Sequence, residues 1–240
     1  ESSVLGPSSR KALDRLKAGE DPSDTGSAGS TVGAAMRVAP IGIVNAPDLK
    51  SAAEECYMSC LPTHGVNIAI AGACAVCCGV AAALTAKFIE EVVDAAIYGA
   101  RYGERLGIKW AGTLVSARTE LAMRIVGETS DVTEAEDCLY TTCGVGMEPT
   151  ELVPTAIGLC VLHECDPQKA VPAAANMGGD TDTLASIVGA LSGAYNGIGA
   201  FPQDWVDTVQ DVNNLDFARL TTILVAVRER RYASNGRYRC

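Results

Sequence analysis

Two aspartates and two threonines stand together directly after Gly178-Gly179, in the stretch NMGGDTDTLASIVGALSGAYNG (176–197). Asp180 and Asp182 are one residue apart and Thr183 follows. Carboxylates at i and i+2 with a hydroxyl at i+3 converge where a tight turn enters a helix. Hard dications such as Mg²⁺ take oxygen donors of this kind. The two glycines permit positive φ or a close approach of backbone to a ligand. Helix capping explains part of the same pattern, because Asp and Thr are good N-caps and acidic first turns suit the helix dipole. One Asp satisfies a cap, and two with a Thr exceed it. Spacing alone leaves a metal site and a cap both open. Behind the turn, Ala185, Gly189, Gly193 and Gly197 recur every fourth residue. That smooth face is expected to let another helix approach closely, to fix the Asp turn or as ordinary core packing.

A second stretch, TGSAGSTVGAAMRVAP (25–40), offers exposed backbone N–H groups and hydroxyls before a helix-like segment with Met36 and Arg37. It suits a phosphate or sugar cradle. It lacks the Lys of a P-loop and the spacing of a dinucleotide fingerprint, and a flexible linker is the competing reading. His64, in the turn LPTHG, is a candidate ligand contact. His163 precedes Glu164 near a helix C-terminus, where dipole capping accounts for it. There is no Gly-x-Ser-x-Gly elbow and no His-rich motif, which argues against serine and zinc hydrolases.

Helices must position these residues. Helical patterns cover 8–19 (Ser8 as N-cap), 46–62, a long run over about 66–102, about 109–127, 131–143 (Asp131 and Thr133 as caps) and 148–164. Asp166-Pro167 opens a short helix, and 215–232 closes the chain with a basic end. Period-two alternation is weak and confined to MRVAPIGIV (36–44). No repeat or interdomain linker interrupts the pattern, so residues 1–240 read as one all-α domain around a wide, Ala-rich core.

The formal net charge of -10 argues against a nucleic-acid or anionic-membrane surface. The charge-free run 68–86 is mostly Ala, Gly and Cys without basic or aromatic flanks, so it reads as a core helix rather than a membrane span. Of the 10 cysteines, Cys56/Cys60, Cys74/Cys77/Cys78 and Cys160/Cys165 lie in helix-like apolar segments. They read as reduced core thiols rather than a zinc site, which points to a reducing, cytoplasmic setting.

Together these pieces resemble the ADP-ribosylglycohydrolase family. The resemblance runs through GPSSRKALDRLKAGEDP, GSTVGAAMRVAPIGI, THG, GVGMEPTELVPTAIG and FPQDW, and most specifically through GGDTDT. It implies a compact, orthogonal multi-helix domain with a centre of two Mg²⁺ ions that hydrolyses the glycosidic bond of an ADP-ribosyl or related ribosyl substrate. By the motif match, Asp180, Asp182 and Thr183 are metal ligands. Ser30, Thr31, Gly33, Met36, His64, Gly144 and Gly146 are substrate-binding. Two departures stand out. Val32 replaces the family's usual Asn, and the sequence has no Asp-Asp pair, which the family carries in an N-terminal segment with its catalytic acid/base. The resemblance therefore implies that residues 1–240 are the C-terminal two-thirds to three-quarters of the domain, completed by that segment of the same polypeptide. Two alternatives follow: a non-catalytic ADP-ribose-binding or structural relative, or a glycosidase of a free nucleoside-like metabolite.

Overall fold

The computed structural model describes residues 5–235. In chain order the elements are α1 (Pro7–Lys17), α2 (Pro22–Thr25), a 3-10 turn (Val32–Arg37), α3 (Ala39–Asn45), α4 (Leu49–Cys60), α5 (Asn67–Ala83) and α6 (Ile89–Gly103). Then come α7 (Val115–Glu128), α8 (Val132–Thr142), α9 (Pro149–Leu162), α10 (Pro167–Asn176), α11 (Thr181–Asn196), a second 3-10 turn (Ile198–Ala200), α12 (Gln203–Asn213) and α13 (Phe217–Asn235). Among the described residues the fold is all-α, with a lone β-bridge between Val66 and Ile108.

The core is built on α5, in which every residue but Ala82 is buried. Helices α3, α4, α6, α9, α11 and the first 3-10 turn pack around it. Its small side chains let backbones meet. A Cβ on Gly99 of α6 would lie 2.2 Å from the Cys74 carbonyl, and one on Gly103 would lie 2.6 Å from Ala71 Cα. Gly42 of α3 approaches the Cys77 carbonyl in the same way. The thiols of Cys74, Cys77 and Cys78 lie 3.5–3.6 Å from the carbonyls of Ala53, Ala52 and Leu49 on or beside α4. The cysteines of the described residues are free, and no three His, Cys, Asp or Glu side chains among them converge as a metal site. No described helix is long and apolar enough to cross a membrane.

Several boundaries differ from the sequence pattern. The run over 66–102 is two helices, broken at 84–88, where the Glu91 carboxylate accepts the N–H groups of Lys87 and Phe88 and starts α6 afresh. The segment from 109 is irregular until Val115, with the Trp110 N–H on Asn67 Oδ1 at 2.8 Å. The alternating stretch 36–44 is helical. In α1 Gly6 is the N-cap and Pro7 the first residue, while the Ser8 hydroxyl lies 2.9 Å from Thr31 Oγ1. Asp131 caps α8 through the Glu134 N–H, and Thr133 lies inside the helix. His163 sits at the end of α9 as expected, and its Nε2 also pairs with Glu136 of α8 at 2.8 Å.

The glycine stripe of α11 is half-buried and is not the face turned to the core. The helix buries Leu184, Ile187, Val188 and Leu191, an i, i+3, i+4, i+7 set. A Cβ on Gly189 would meet only Val171 Cγ2, at 3.8 Å, and one on Gly193 would meet the Phe201 ring at 3.3 Å. Helix α10 packs on α11 and reaches Gly189 through Val171, while the backbone-to-backbone contacts that exclude any Cβ lie around α5.

Candidate active site

Gly178 and Gly179 take φ values of +90° and +74°, which side chains disfavour. Gly179 also has no room for a Cβ, which would lie 2.2 Å from the Val145 carbonyl oxygen. That carbonyl accepts the Asp180 N–H at 2.9 Å. The turn thus delivers Asp180 to the start of α11, where its main-chain carbonyl accepts the Leu184 N–H and its carboxylate lies against Thr183. Burial pushes the Asp180 carboxyl above the usual carboxylate range, and the adjoining Asp182 carboxylate adds to the effect. Asp182 is held low, chiefly by hydrogen bonding with Asp180. Such a split is what two touching carboxylates show when they share one proton.

Thr183 is buried, and its hydroxyl lies 4.0 Å from the sulfur of Met36, an exposed side chain on the 3-10 turn. A thioether is a weak acceptor, and the stronger partner of this hydroxyl is the Asp180 carboxylate. Two carboxylates and an adjoining hydroxyl fit the protein's share of a hard cation's shell, and three donors are too few for two ions.

The segment before the 3-10 turn is docked, which overturns the flexible-linker reading of 25–40. A Cβ on Gly26 or Gly29 would overlap the carbonyls of Leu61 or Thr63. The Gly26 carbonyl accepts the Gly65 N–H at 2.7 Å, and Thr25 Oγ1 donates to Pro62 O at 2.7 Å. Ser30 is half-buried in this segment.

Around His64 the hydrogen bonds run in one direction. The Arg37 guanidinium donates to Thr63 Oγ1 at 2.6 Å, and Arg37 cannot accept. The Thr63 hydroxyl is then free to donate to His64 Nδ1, 2.8 Å away, and Nε2–H faces Thr31 Oγ1 at 3.2 Å. Burial first, and the Arg37 charge second, push the His64 imidazole down to about 4, so the ring is neutral at physiological pH. His64 is 1% exposed, and Gly33 lies against its ring, where a Cβ would be 3.1 Å from Nε2. The imidazole therefore orients Thr31 from inside the protein.

The loop 144–147 ties the two halves together. Val145 C=O holds Asp180 N–H, and two residues on, Met147 C=O holds Val32 N–H, also at 2.9 Å. Gly144 (φ +92°) and Gly146 lie against the Glu151 side chain, whose Oε2 accepts the Gly146 N–H at 3.0 Å. Arg118 of α7 donates to the carbonyls of Thr142 and Cys143, which ends α8 just before this loop. Val32, where the motif has Asn, turns its side chain into the core at 3% exposure.

Thr183 and Met36 are thus in contact, as are Thr31, Gly33 and His64, and main-chain carbonyls couple the two groups. Sequence reasoning missed Glu151, which reads as an ordinary first-turn acid. The glycines before it, needed to fit around its carboxylate, were the available signal. A separate cleft of about 220 Å³, lined by Asn45, Asp48, Glu55 and Arg231 among others, shares no residue with this site.

Comparison with known proteins adds a lineage. An uncharacterized protein of Escherichia coli (strain K12), YegU, is 34% identical over 231 residues, 96% of this chain and 69% of YegU. An uncharacterized Archaeoglobus fulgidus protein is 29% identical over 86% of the chain and 62% of its own length. Human ADP-ribosylhydrolase ARH3 is 33% identical over 108 residues, 39% of this chain and 29% of ARH3. A model of the ADP-ribosylglycohydrolase family matches residues 1–234, the Asp180 turn and the Thr31–Met36 segment included. The chain belongs to this family of glycosyl hydrolases.

Proposed function

We propose that the protein hydrolyses the glycosidic bond of an ADP-ribosyl group with the help of bound Mg²⁺. The observation that carries this reading is the joining of the Asp180–Thr183 turn to the Val32–Arg37 turn through the Val145 and Met147 carbonyls. Asp180, Asp182 and Thr183 would hold the cation. Bound there, Mg²⁺ would orient the ribose hydroxyls and stabilise developing negative charge. Thr31, its hydroxyl held between neutral His64 and Ser8, would fix the loop on the substrate side, and Met36 lines the space before Thr183. Further carboxylates and the acid/base group would come from a segment outside residues 1–240, since three oxygen donors do not complete two octahedral shells.

The test is Asp182→Ala in the full-length protein. Release of ADP-ribose from an ADP-ribosylated protein should fall by about a hundredfold or more, in line with the loss of a metal ligand. Unchanged release would remove the assignment. A panel of ADP-ribosyl-arginine, ADP-ribosyl-serine and free nucleosides then separates protein linkages from a free metabolite.

A second reading, a non-catalytic ADP-ribose-binding relative, is favoured by Val32, whose core-facing side chain supplies no amide to a ligand. Calorimetric binding of ADP-ribose and Mg²⁺ without turnover by the full-length protein would support it.

A further inference from the structure

We infer that Glu151 is a positioning residue, whose carboxylate holds the 144–147 loop in the form that joins the Asp180 turn to the Val32–Arg37 turn. The inference deepens the proposed function and rests on reading those turns as the cation-binding and substrate-binding halves of one site.

An acid in the first turn of α9 suits the helix dipole, but a dipole partner needs no particular neighbour. Glu151 has specific ones. Its Oε2 accepts the Gly146 N–H at 3.0 Å. A Cβ on Gly146 would lie 2.3 Å from that same oxygen, and one on Gly144 would lie 3.3 Å from the carboxyl carbon. Two glycines are fitted around one carboxylate. Four residues along, on the same face of α9, the buried Thr155 hydroxyl lies 2.8 Å from the Gly144 carbonyl. Helix α9 therefore clasps the loop at two points, Gly144 C=O and Gly146 N–H.

What the clasp fixes lies on either side of Gly146. Val145 and Met147 present their carbonyls to the N–H groups of Asp180 and Val32. The chain at Gly144 already takes a left-handed φ, and glycines at 144 and 146 leave many conformations open to an unrestrained loop. Without the Glu151 acceptor, Gly146 N–H is unpaired, and the carbonyls on both sides of it lose their fixed aim. The effect would reach the Asp turn and the 3-10 turn together, although Glu151 bonds to neither.

The test compares wild type, Glu151→Ala, Glu151→Gln and Glu151→Asp in the full-length protein by amide hydrogen exchange and by Mg²⁺ titration calorimetry. Glu151→Ala should speed exchange at Val32, Gly146 and Asp180 by about tenfold, the loss of one anchoring hydrogen bond, with α5 amides unchanged. Mg²⁺ affinity should fall by a similar factor. Glu151→Gln keeps an acceptor oxygen at the same reach and should restore both. Glu151→Asp keeps the charge, falls short of Gly146, and should behave like Glu151→Ala. Unchanged exchange at Val32 and Asp180 in Glu151→Ala would overturn the inference, as would Glu151→Asp matching wild type while Glu151→Gln fails. Asp182→Ala is the control for the cation reading. If it binds Mg²⁺ like wild type, that reading fails, and the exchange data still decide what Glu151 does.

Discussion

Thr183 and Met36 are 147 positions apart in the chain, yet the Thr183 hydroxyl lies 4.0 Å from the Met36 sulfur. The same hydroxyl also bonds to the Asp180 carboxylate, so it steadies that carboxylate as well as offering an oxygen to a cation. Thr183→Val keeps the shape and removes the oxygen. It should cost about 1–2 kcal/mol of unfolding free energy, the hydrogen bond to Asp180, while weakening Mg²⁺ binding by about tenfold or more. Denaturant unfolding and calorimetry on one preparation check both halves.

Gly178 and Gly179 share a positive φ but not their surroundings. A Cβ on Gly178 meets only the edge of Tyr140, at 3.9 Å, whereas one on Gly179 overlaps the Val145 carbonyl. Gly178→Ala should cost about 1 kcal/mol, the conformational penalty alone. Gly179→Ala should cost about 3 kcal/mol or more and remove the Asp180–Val145 hydrogen bond, with loss of Mg²⁺ binding. Equal effects in thermal melts and titrations would contradict the geometry.

His64 gives a pH signature. Its imidazole sits near 4 in the folded protein, against an ordinary value of 6.5. Between those values the unfolded chain takes up a proton that the folded protein refuses. The stabilisation is therefore complete above about pH 6.5 and is lost as pH falls toward 4, by up to about 3 kcal/mol. His64→Gln removes the titration, so the stability gap between wild type and variant should narrow in that window. Urea midpoints at pH 7 and pH 4.5 measure it.

Gly189 is a glycine that packing does not require. A Cβ there meets Val171 at an ordinary 3.8 Å. Gly189→Ala should stabilise the protein by about 0.5–1 kcal/mol through helix propensity, visible as a higher melting temperature.

That position also marks where sequence reasoning loses its hold. The all-α character was legible from helical spacing, and the Asp180 turn from its crowding of oxygen donors. Which face of α11 packs inward was not legible from the glycines, since small residues permit close contact without demanding it. The larger set Leu184, Ile187, Val188 and Leu191 carried the answer. The break between α5 and α6 escaped because residues 84–88 contain no Gly or Pro, and a side chain three residues downstream, Glu91, makes the stop. Glu151 escaped for a related reason. Its neighbours Gly144 and Gly146 are close in sequence, but the loop's outward bonds to residues 32 and 180 exist only in the folded protein.

Twelve of the seventeen residues of α5 are Ala, Gly or Cys, so its side chains have few rotamers to lose when the helix is buried. Its ordering is entropically inexpensive for a helix so fully enclosed. It also offers little shape variation to absorb a change, because its neighbours rest on main-chain atoms rather than on flexible side chains. A methyl group added at Gly99 or Gly103 would have to move a whole helix, so tolerance of sequence drift should be lowest at this axis and rise outward toward α12, none of whose residues is buried.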